Sequence, residues 1–159
     1  MQSAKRSAST RIGRYELIRS LGRGSQGLVY LGRDPTLDRF VAIKVLTGTE
    51  AALHNTTNEG APMEARIASK LKHPNIVSIY DIGECEIGPY LIFEYVEGQT
   101  LAHVLAKNGP FAIADAVPLF ASILQALATA HASGIAHLDL SPRNVLLDSA
   151  NTARVMDFG

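Results

Sequence analysis

The sequence predicts an α+β fold in two parts, a five-stranded antiparallel sheet with one helix and then a mainly helical region. Three observations predict it. Five β-rich runs separated by turn residues occupy residues 15–95. The pattern then becomes helical, with an alanine-rich run over residues 112–133. Apolar residues make up 47% of the 159 residues, so the chain can bury a core.

The first part is predicted to begin with three strands, YELIRSL, GLVYLGR and FVAIKVL, whose short connections indicate an antiparallel meander. A helix is predicted from about Pro62 to Leu71, because proline is tolerated in a first helical turn. The spacing i, i+3, i+4, i+7 places on one face of this helix Glu64, Ile67, Ala68 and Leu71. Two further runs, NIVSIYDI and PYLIFEY, are the fourth and fifth predicted strands.

The second part is predicted to contain a short helix, Leu101–Lys107, and a long helix, Ala112–Ser133. The long helix carries an apolar stripe that we expect to be its buried face: Val117, Phe120, Ala121, Leu124, Leu127, Ala128 and His131. Two short strands, NVLLD and ARVMD, follow it. Residues 15–96 and 97–159 are therefore expected to form two lobes that meet at a hinge around Glu94–Gly98.

The charge balance excludes a function that needs a strong net positive or negative electrostatic field. Fifteen basic and fifteen acidic residues give a net charge of zero, which argues against a nucleic-acid partner. Residues 1–14 hold four basic residues and no acid, and we expect a flexible basic leader without a signal sequence or anchor. No run approaches the roughly 18 continuous apolar residues of a membrane span. With Cys85 as the single cysteine, the chain is expected to be soluble and cytoplasmic, and a span further along an intact protein is left open.

Three glycines, Gly22, Gly24 and Gly27, lie between the first two predicted strands. Glycines let a backbone pass closely over a ligand where a β-carbon would intrude. The pattern alone is weak evidence, because a hairpin without any ligand has the same glycines. A dinucleotide-binding fingerprint requires a helix after the last glycine, and here a strand follows instead.

Lys44 ends the run VAIK in the third predicted strand. A lysine inside an apolar strand needs a counter-charge or a bound anion, unless it is an edge lysine in water. Glu64 is the natural partner, because a carboxylate on the apolar face of a helix is costly when it is unpaired.

Two more motifs complete a set of five. The loop His137-Leu138-Asp139-Leu140-Ser141-Pro142-Arg143-Asn144 follows the long helix, and Asp157-Phe158-Gly159 follows the last strand. A glycine loop, a strand lysine, a helical glutamate, H-x-D-x-x-x-x-N and D-F-G, in this order, resemble the eukaryotic-type (Hanks-type) serine/threonine protein kinases, in a bacterial style, over residues 15–159. The resemblance implies a two-lobe kinase fold, ATP and Mg²⁺ as cofactors, and a protein substrate with a serine or threonine hydroxyl.

The resemblance also implies a role for each motif residue. Lys44 would hold the α and β phosphates while paired with Glu64. Asp139 would orient the substrate hydroxyl and accept its proton, Asn144 and Asp157 would hold magnesium, and His137 and Phe158 would stack to position Asp157. The other implied nucleotide-binding residues are Leu21, Gly22, Gly24, Gly27, Val29, Ala42, Glu94, Val96 and Leu146, with Phe93 as the gatekeeper.

Three departures from the kinase pattern leave alternatives open. Leu138 replaces the arginine that grips a phosphorylated activation loop, and Ser141 replaces a lysine near the transferred phosphate. Family members also continue past D-F-G, so we expect the 159-residue chain alone to be inactive. The alternatives are a pseudokinase or nucleotide-binding regulatory module without transfer activity, and a small-molecule kinase of the aminoglycoside phosphotransferase type. The oligomeric state is left open as well.

Overall fold

The computed structural model describes residues 11–24, 27–47 and 68–158. Among them, two compact units are distinguished. The first comprises residues 11–24, 27–47 and 82–95, and the second comprises residues 68–81 and 96–158. The predicted helix at Pro62–Leu71 lies mostly outside the described residues, and only Ala68 is described in helical conformation.

The first unit is built on a six-stranded sheet. Its strand order is β1-β2-β3-β4-β6-β5, and the pairs from β1 through β4 to β6 are antiparallel. The strands are β1 (Arg11–Ile12), β2 (Tyr15–Gly24), β3 (Gly27–Asp34), β4 (Arg39–Leu46), β5 (Ile79–Cys85) and β6 (Gly88–Glu94). The five predicted strands are found, but the fourth, predicted over residues 75–82, is β5 at Ile79–Cys85, and its residues 79–81 belong to the second unit. The sixth, β1, lies in the expected leader, and with two residues it is too short to show a period-2 pattern.

One face of this sheet forms the core of the first unit. The side chains of Val41, Ile43 and Val45 alternate along β4 and are fully buried. Tyr90 packs edge-on against Tyr15, with ring centroids 6.5 Å apart. A β-carbon at Gly13 or Gly83 would collide with the Tyr90 ring, and Gly13 also has a φ of +55°. These two glycines therefore let Tyr90 reach across the edge of the core.

The turn between β3 and β4 is organised by the buried carboxylate of Asp34. Its Oδ1 accepts hydrogen bonds from the backbone N–H groups of Thr36 (3.0 Å) and Leu37 (3.3 Å). The guanidinium of Arg14 lies 3.5 Å from its Oδ2. Burial raises the pKa of Asp34, but the two N–H donors and the charges of Arg14 and Arg39 outweigh it, so the pKa is lowered overall.

Replacing Asp34 is expected to destabilise the first unit in a pH-dependent way. Asp34→Ala leaves two backbone donors unsatisfied and should lower the free energy of unfolding by about 1–3 kcal/mol. Asp34→Asn retains an oxygen acceptor and loses only the charge. Because the folded-state pKa is lowered, the charge stabilises the fold above the ordinary carboxyl pKa of about 3.9 and this effect is lost as the pH falls through the folded-state value.

Urea unfolding at a series of pH values tests this expectation. The difference between the unaltered chain and Asp34→Asn should be largest near neutral pH and should vanish in acid. A difference that grows as the pH falls would contradict the assignment of a lowered pKa.

The second unit contains two helices and a small antiparallel sheet in the order β7-β8-β9. Its elements are β7 (Gly98–Thr100), α1 (Leu101–Asn108), α2 (Ile113–Ala132), a 3-10 turn at Pro142–Asn144, β8 (Val145–Asp148) and β9 (Ala153–Val155). The two helices and the strands β8 and β9 were predicted, whereas β7 was not. The hydroxyl of Thr100 caps α1 by accepting a hydrogen bond from His103 N (3.2 Å).

Residues 68–81 pack with the second unit, although the sequence placed them in the first lobe. Val77 N donates to Val155 O and Val155 N donates to Asn75 O, both at 2.8 Å. The Asn75 side chain donates to Ala153 O at 2.9 Å. Leu71 and Ile76 join the core of this unit. These contacts span nearly 80 residues of chain, so no local pattern could have predicted them.

The predicted buried face of α2 is wrong. The helix buries Leu119, Ile123, Ala126 and Ala130. The predicted stripe is largely exposed, with 62% of Val117, 60% of Phe120 and 62% of Leu124 accessible to solvent. Both stripes are apolar and both have helical spacing, so the period alone could not select between them.

By length and hydropathy, α2 is also the one helix in the described ranges that could cross a membrane. It has 20 residues, and an 18-residue stretch of it has a mean hydropathy of 1.6. Polar residues interrupt it, however, and four of its side chains pack into the core of the second unit. Of that 18-residue stretch, 22% is buried.

Candidate active site

The strand register places four of the predicted residues of the first unit on one face of its sheet. Directly paired residues of antiparallel strands share a face. Lys44 pairs with Val29 on one side and with Leu91 on the other. Ala42 pairs with Leu31 and with Phe93 in the same way. Val29, Ala42, Lys44 and Phe93 therefore point away from the core that Val41, Ile43 and Val45 form.

Lys44 is only 8% exposed, so its charge is largely removed from water. Lys44 takes part in interactions within the structure, and its predicted partner Glu64 lies outside the described residues. The pairing of Lys44 with Glu64 therefore stays a prediction. A buried ammonium of this kind is suited to bind an anion.

The described glycines of the loop differ in whether the folded protein has room for a β-carbon at their positions. Gly27 has a φ of +150°, and a β-carbon there would overlap the backbone carbonyl of Val45 in β4. Glycine at this position is needed by the sheet. At Gly22, by contrast, a β-carbon would meet no atom of the described residues within 4 Å. Gly24 ends β2 and pairs with Gly27, whereas Ser25 and Gln26 lie outside the described residues.

The remaining predicted nucleotide-binding residues are placed at strand ends and in the second unit. Leu21 lies in β2 and is partly exposed, and Glu94 ends β6 opposite Val41. Val96 begins the longer stretch of the second unit. Leu146 lies in β8 between the buried Val145 and Leu147, so its side chain points to the opposite side from theirs.

The loop after α2 brings Asp139 and Asn144 into direct contact. Asn144 Nδ2 donates to the backbone oxygen of Asp139 at 2.8 Å and to its Oδ2 at 3.1 Å. The 3-10 turn Pro142–Asn144 supplies the bend that turns Asn144 back, with Asn144 N donating to Ser141 O at 2.9 Å. Because its amide nitrogen binds Asp139, the side-chain oxygen of Asn144 is the atom that it can offer to a cation.

Asp157 is held close to this loop by its neighbours in sequence. Met156 N donates to Asn144 O (3.0 Å), and Met156 O lies 3.0 Å from His137 Nε2. The buried His137 ring contacts the Phe158 ring, with centroids 4.7 Å apart. Asp157 itself has a φ of +59°, which is uncommon for a residue other than glycine. These contacts hold the residues on both sides of Asp157.

The structure thus brings together in the second unit five residues that the sequence predicted: His137, Asp139, Asn144, Asp157 and Phe158. It adds Met156, which sequence analysis missed. Met156 contributes to this arrangement through its backbone atoms, which carry no sequence signal.

The two departures from the kinase pattern lie on the surface of this loop. Leu138 is 85% exposed and has a φ of +61°. Ser141 is half-buried and precedes the 3-10 turn. The arginine and lysine that they replace would therefore project from the same loop as Asp139.

A surface groove of about 450 Å³ in the second unit lies apart from these residues. It is lined by Ser69, Leu71, Lys72, His73, Ser78, Ile79 and Tyr80. None of them is a predicted site residue, so the groove is no part of the candidate site.

The first unit has a lysine-bearing sheet face and a glycine loop. The second unit has the pair Asp139–Asn144 and, close to it, Asp157-Phe158. These features are typical of nucleotide-dependent phosphoryl transferases. Comparison with known proteins identifies the family: residues 15–159 match the protein kinase domain. The chain belongs to that family.

Curated relatives and a solved structure agree with this assignment. The serine/threonine-protein kinase PrkC of Bacillus subtilis is 44% identical over 147 residues, covering 92% of this chain and 22% of PrkC. The serine/threonine-protein kinase PknB of Mycobacterium leprae is 40% identical over 150 residues, covering 92% of this chain and 24% of PknB. The kinase domain of Mycobacterium tuberculosis PknI, solved as a cysteine-to-alanine mutant, superposes with a TM-score of 0.78 at 28% identity, covering 96% of this chain and 62% of that one.

The chain therefore spans less than a quarter of the length of these curated relatives. The comparisons confirm the kinase-like α+β fold and the serine/threonine protein kinase relationship that the sequence predicted. Members of this family use ATP and a divalent metal and act on proteins.

Proposed function

We propose that this chain is the nucleotide-binding and catalytic-loop portion of an ATP-dependent protein serine/threonine kinase. One observation carries the proposal: the connected set of His137, Asp139, Asn144, Met156 and Phe158 around Asp157. These contacts tie the loop after α2 to the residues on both sides of Asp157, whose backbone has a φ of +59°.

In the first unit, the proposed task is to bind the nucleotide. Lys44 contacts the α and β phosphates, and the backbone of Gly22, Gly24 and Gly27 covers them. Val29 and Ala42 contact the adenine, with Leu21 at its rim and the backbone of Glu94 to Val96 reading its edge. The shared face of Val29, Ala42 and Lys44 supports this assignment.

The donor set of the second unit fits magnesium. Mg²⁺ prefers oxygen ligands and is held by one or two carboxylates together with phosphate oxygens and waters. In the described ranges no three His, Cys, Asp or Glu side chains cluster. Asn144 Oδ1 and the carboxylate of Asp157 are the proposed ligands. When bound, the metal would neutralise charge that develops on the phosphates.

The proposed chemistry is an in-line transfer. Asp139 accepts the proton of a serine or threonine hydroxyl as the oxygen attacks the γ-phosphorus. The bond between that phosphorus and the β,γ-bridging oxygen breaks, and ADP leaves. Asn144 supports the reaction by fixing the Asp139 carboxylate through its amide. We propose that the reaction occurs in the cytoplasm, where ATP is abundant and Cys85 stays a free thiol.

A chimera tests the proposal. Residues 15–159 would replace the matching segment of B. subtilis PrkC, which supplies the remainder of a catalytic domain. We expect magnesium-dependent transfer of phosphate from ATP to serine or threonine in a generic basic protein. A folded chimera that binds ATP and transfers nothing would instead select the pseudokinase alternative, which the exposed Leu138 and the absent lysine at Ser141 favour.

The glycine loop provides a paired test of ligand binding. Gly22→Ala is expected to leave the unfolding temperature unchanged, since a β-carbon there meets no atom of the described residues, yet to weaken ATP binding by intruding on the phosphates. Gly27→Ala, the matched variant, is expected to destabilise the sheet by more than about 1 kcal/mol. Calorimetric titration and thermal unfolding of both variants distinguish the two roles. Equal ATP affinity in Gly22→Ala and the unaltered chain would contradict the assignment.

Leu138 predicts regulation that does not depend on an activation-loop phosphate. A leucine cannot pair with phosphate, so phosphatase treatment of the chimera should leave its transfer rate unchanged. The matched variant Leu138→Arg should make the rate sensitive to phosphatase. If dephosphorylation reduced the activity of the unaltered chimera, another cationic side chain would have to bind the phosphate of the activation loop.

A further inference from the structure

The aromatic pair Phe40–Tyr95 extends the nucleotide-facing side of the sheet. Phe40 precedes Ala42 and Lys44 by two and four residues in β4, so all three side chains share a face. At the end of the ladder between β4 and β6, Val41 pairs with Glu94, and the next position along brings Phe40 opposite Tyr95. The two rings meet edge to face, with centroids 6.4 Å apart and an interplanar angle of 68°.

Burial does not explain this phenylalanine. Phe40 is 57% exposed and does not belong to the core of the first unit, which lies on the opposite face of the sheet. An exposed phenylalanine gains little from the hydrophobic effect. Its described ring contact is with Tyr95, the residue at the middle of the segment Glu94–Val96. The effect of the pair is therefore to hold the chain where it leaves β6.

We propose that Phe40 is a positioning residue for adenine recognition. Its ring fixes Tyr95, and through Tyr95 it holds the backbone that reads the adenine edge. This inference rests on the proposed function, because it assumes that Glu94–Val96 contacts the base. An edge-to-face aromatic pair contributes roughly two- to tenfold in an equilibrium constant. That range is the expected effect of Phe40 on ATP affinity.

The test compares two ligands that differ in the base. Calorimetry on the full 159-residue chain would measure the affinity of Mg·ATP and of Mg·tripolyphosphate, which has the phosphates but no adenine. We expect Phe40→Ala to weaken ATP binding about two- to tenfold and to leave tripolyphosphate binding unchanged. Phe40→Tyr, which retains the ring, should restore ATP affinity, whereas Phe40→Leu should not.

A matched control separates positioning from general stability. Leu37 is 59% exposed and lies in the adjoining turn, so Leu37→Ala removes a similar exposed apolar side chain away from the proposed site. It should leave both affinities unchanged. Equal weakening of both ligands in Phe40→Ala, or full affinity in Phe40→Leu, would overturn the inference while leaving the proposed function intact. If the unaltered chain binds tripolyphosphate no less tightly than ATP, or binds neither, the proposed function is overturned and this inference with it.

Discussion

Lys44→Met is expected to reduce phosphate transfer by the PrkC chimera about a hundredfold or more, with little change in the unfolding temperature. Lys44 is only 8% exposed, and its aliphatic stem lies on the sheet face shared with Ala42 and Val29. Methionine retains a long apolar side chain there, so the packing persists while the ammonium is lost. The largest part of the loss should appear in the transfer step, because a charge directed at the phosphates stabilises the transition state most.

Steady-state kinetics of the chimera would measure this loss. Lys107→Met is the matched control, since Lys107 is an exposed lysine in the last turn of α1 and should leave the rate unchanged. An unchanged rate in Lys44→Met, or a fall in rate that follows a fall in the unfolding temperature, would remove Lys44 from the active site.

Asp157→Asn and Asp139→Asn are both expected to reduce transfer by about a hundredfold or more, but for separate reasons. Asp157→Asn removes a carboxylate ligand and should abolish the magnesium dependence of ATP binding. Asp139→Asn removes the proton acceptor, and Asn144 would still bind the backbone oxygen at residue 139. ATP binding by Asp139→Asn should therefore depend on magnesium as it does in the unaltered protein.

Magnesium titrations at a fixed ATP concentration distinguish the two roles. Asp148→Asn is a suitable control for the loss of an aspartate, because Asp148 organises the turn between β8 and β9, where its Oδ1 accepts from Ala150 N and Thr152 N. Asparagine retains that acceptor, so binding and transfer should be unaffected. If Asp139→Asn abolishes the magnesium dependence and Asp157→Asn does not, the two assigned roles are exchanged.

The sequence alone determined the elements whose signal is local. β-rich runs separated by turn residues predicted five strands, and a period of two along β4 was enough to place Ala42 and Lys44 on one face. The order of five short motifs identified the family and the candidate residues in both units. Each strand and each motif is set by residue type and spacing over a short stretch of chain, which is the range at which backbone preferences act.

Only the tertiary structure decided the features that depend on distant partners. The buried face of α2 was chosen between two apolar stripes by packing against residues such as Leu71 and Val155. The strands β1 and β7 consist of two and three residues and exist because longer strands pair with them. The residues on both sides of Asp157 are held by hydrogen bonds of Met156 and by the contact of the Phe158 ring with His137. In each case the contact that decides the structure joins residues that the local sequence pattern does not relate to each other. The local sequence permits several conformations, and tertiary packing selects one of them.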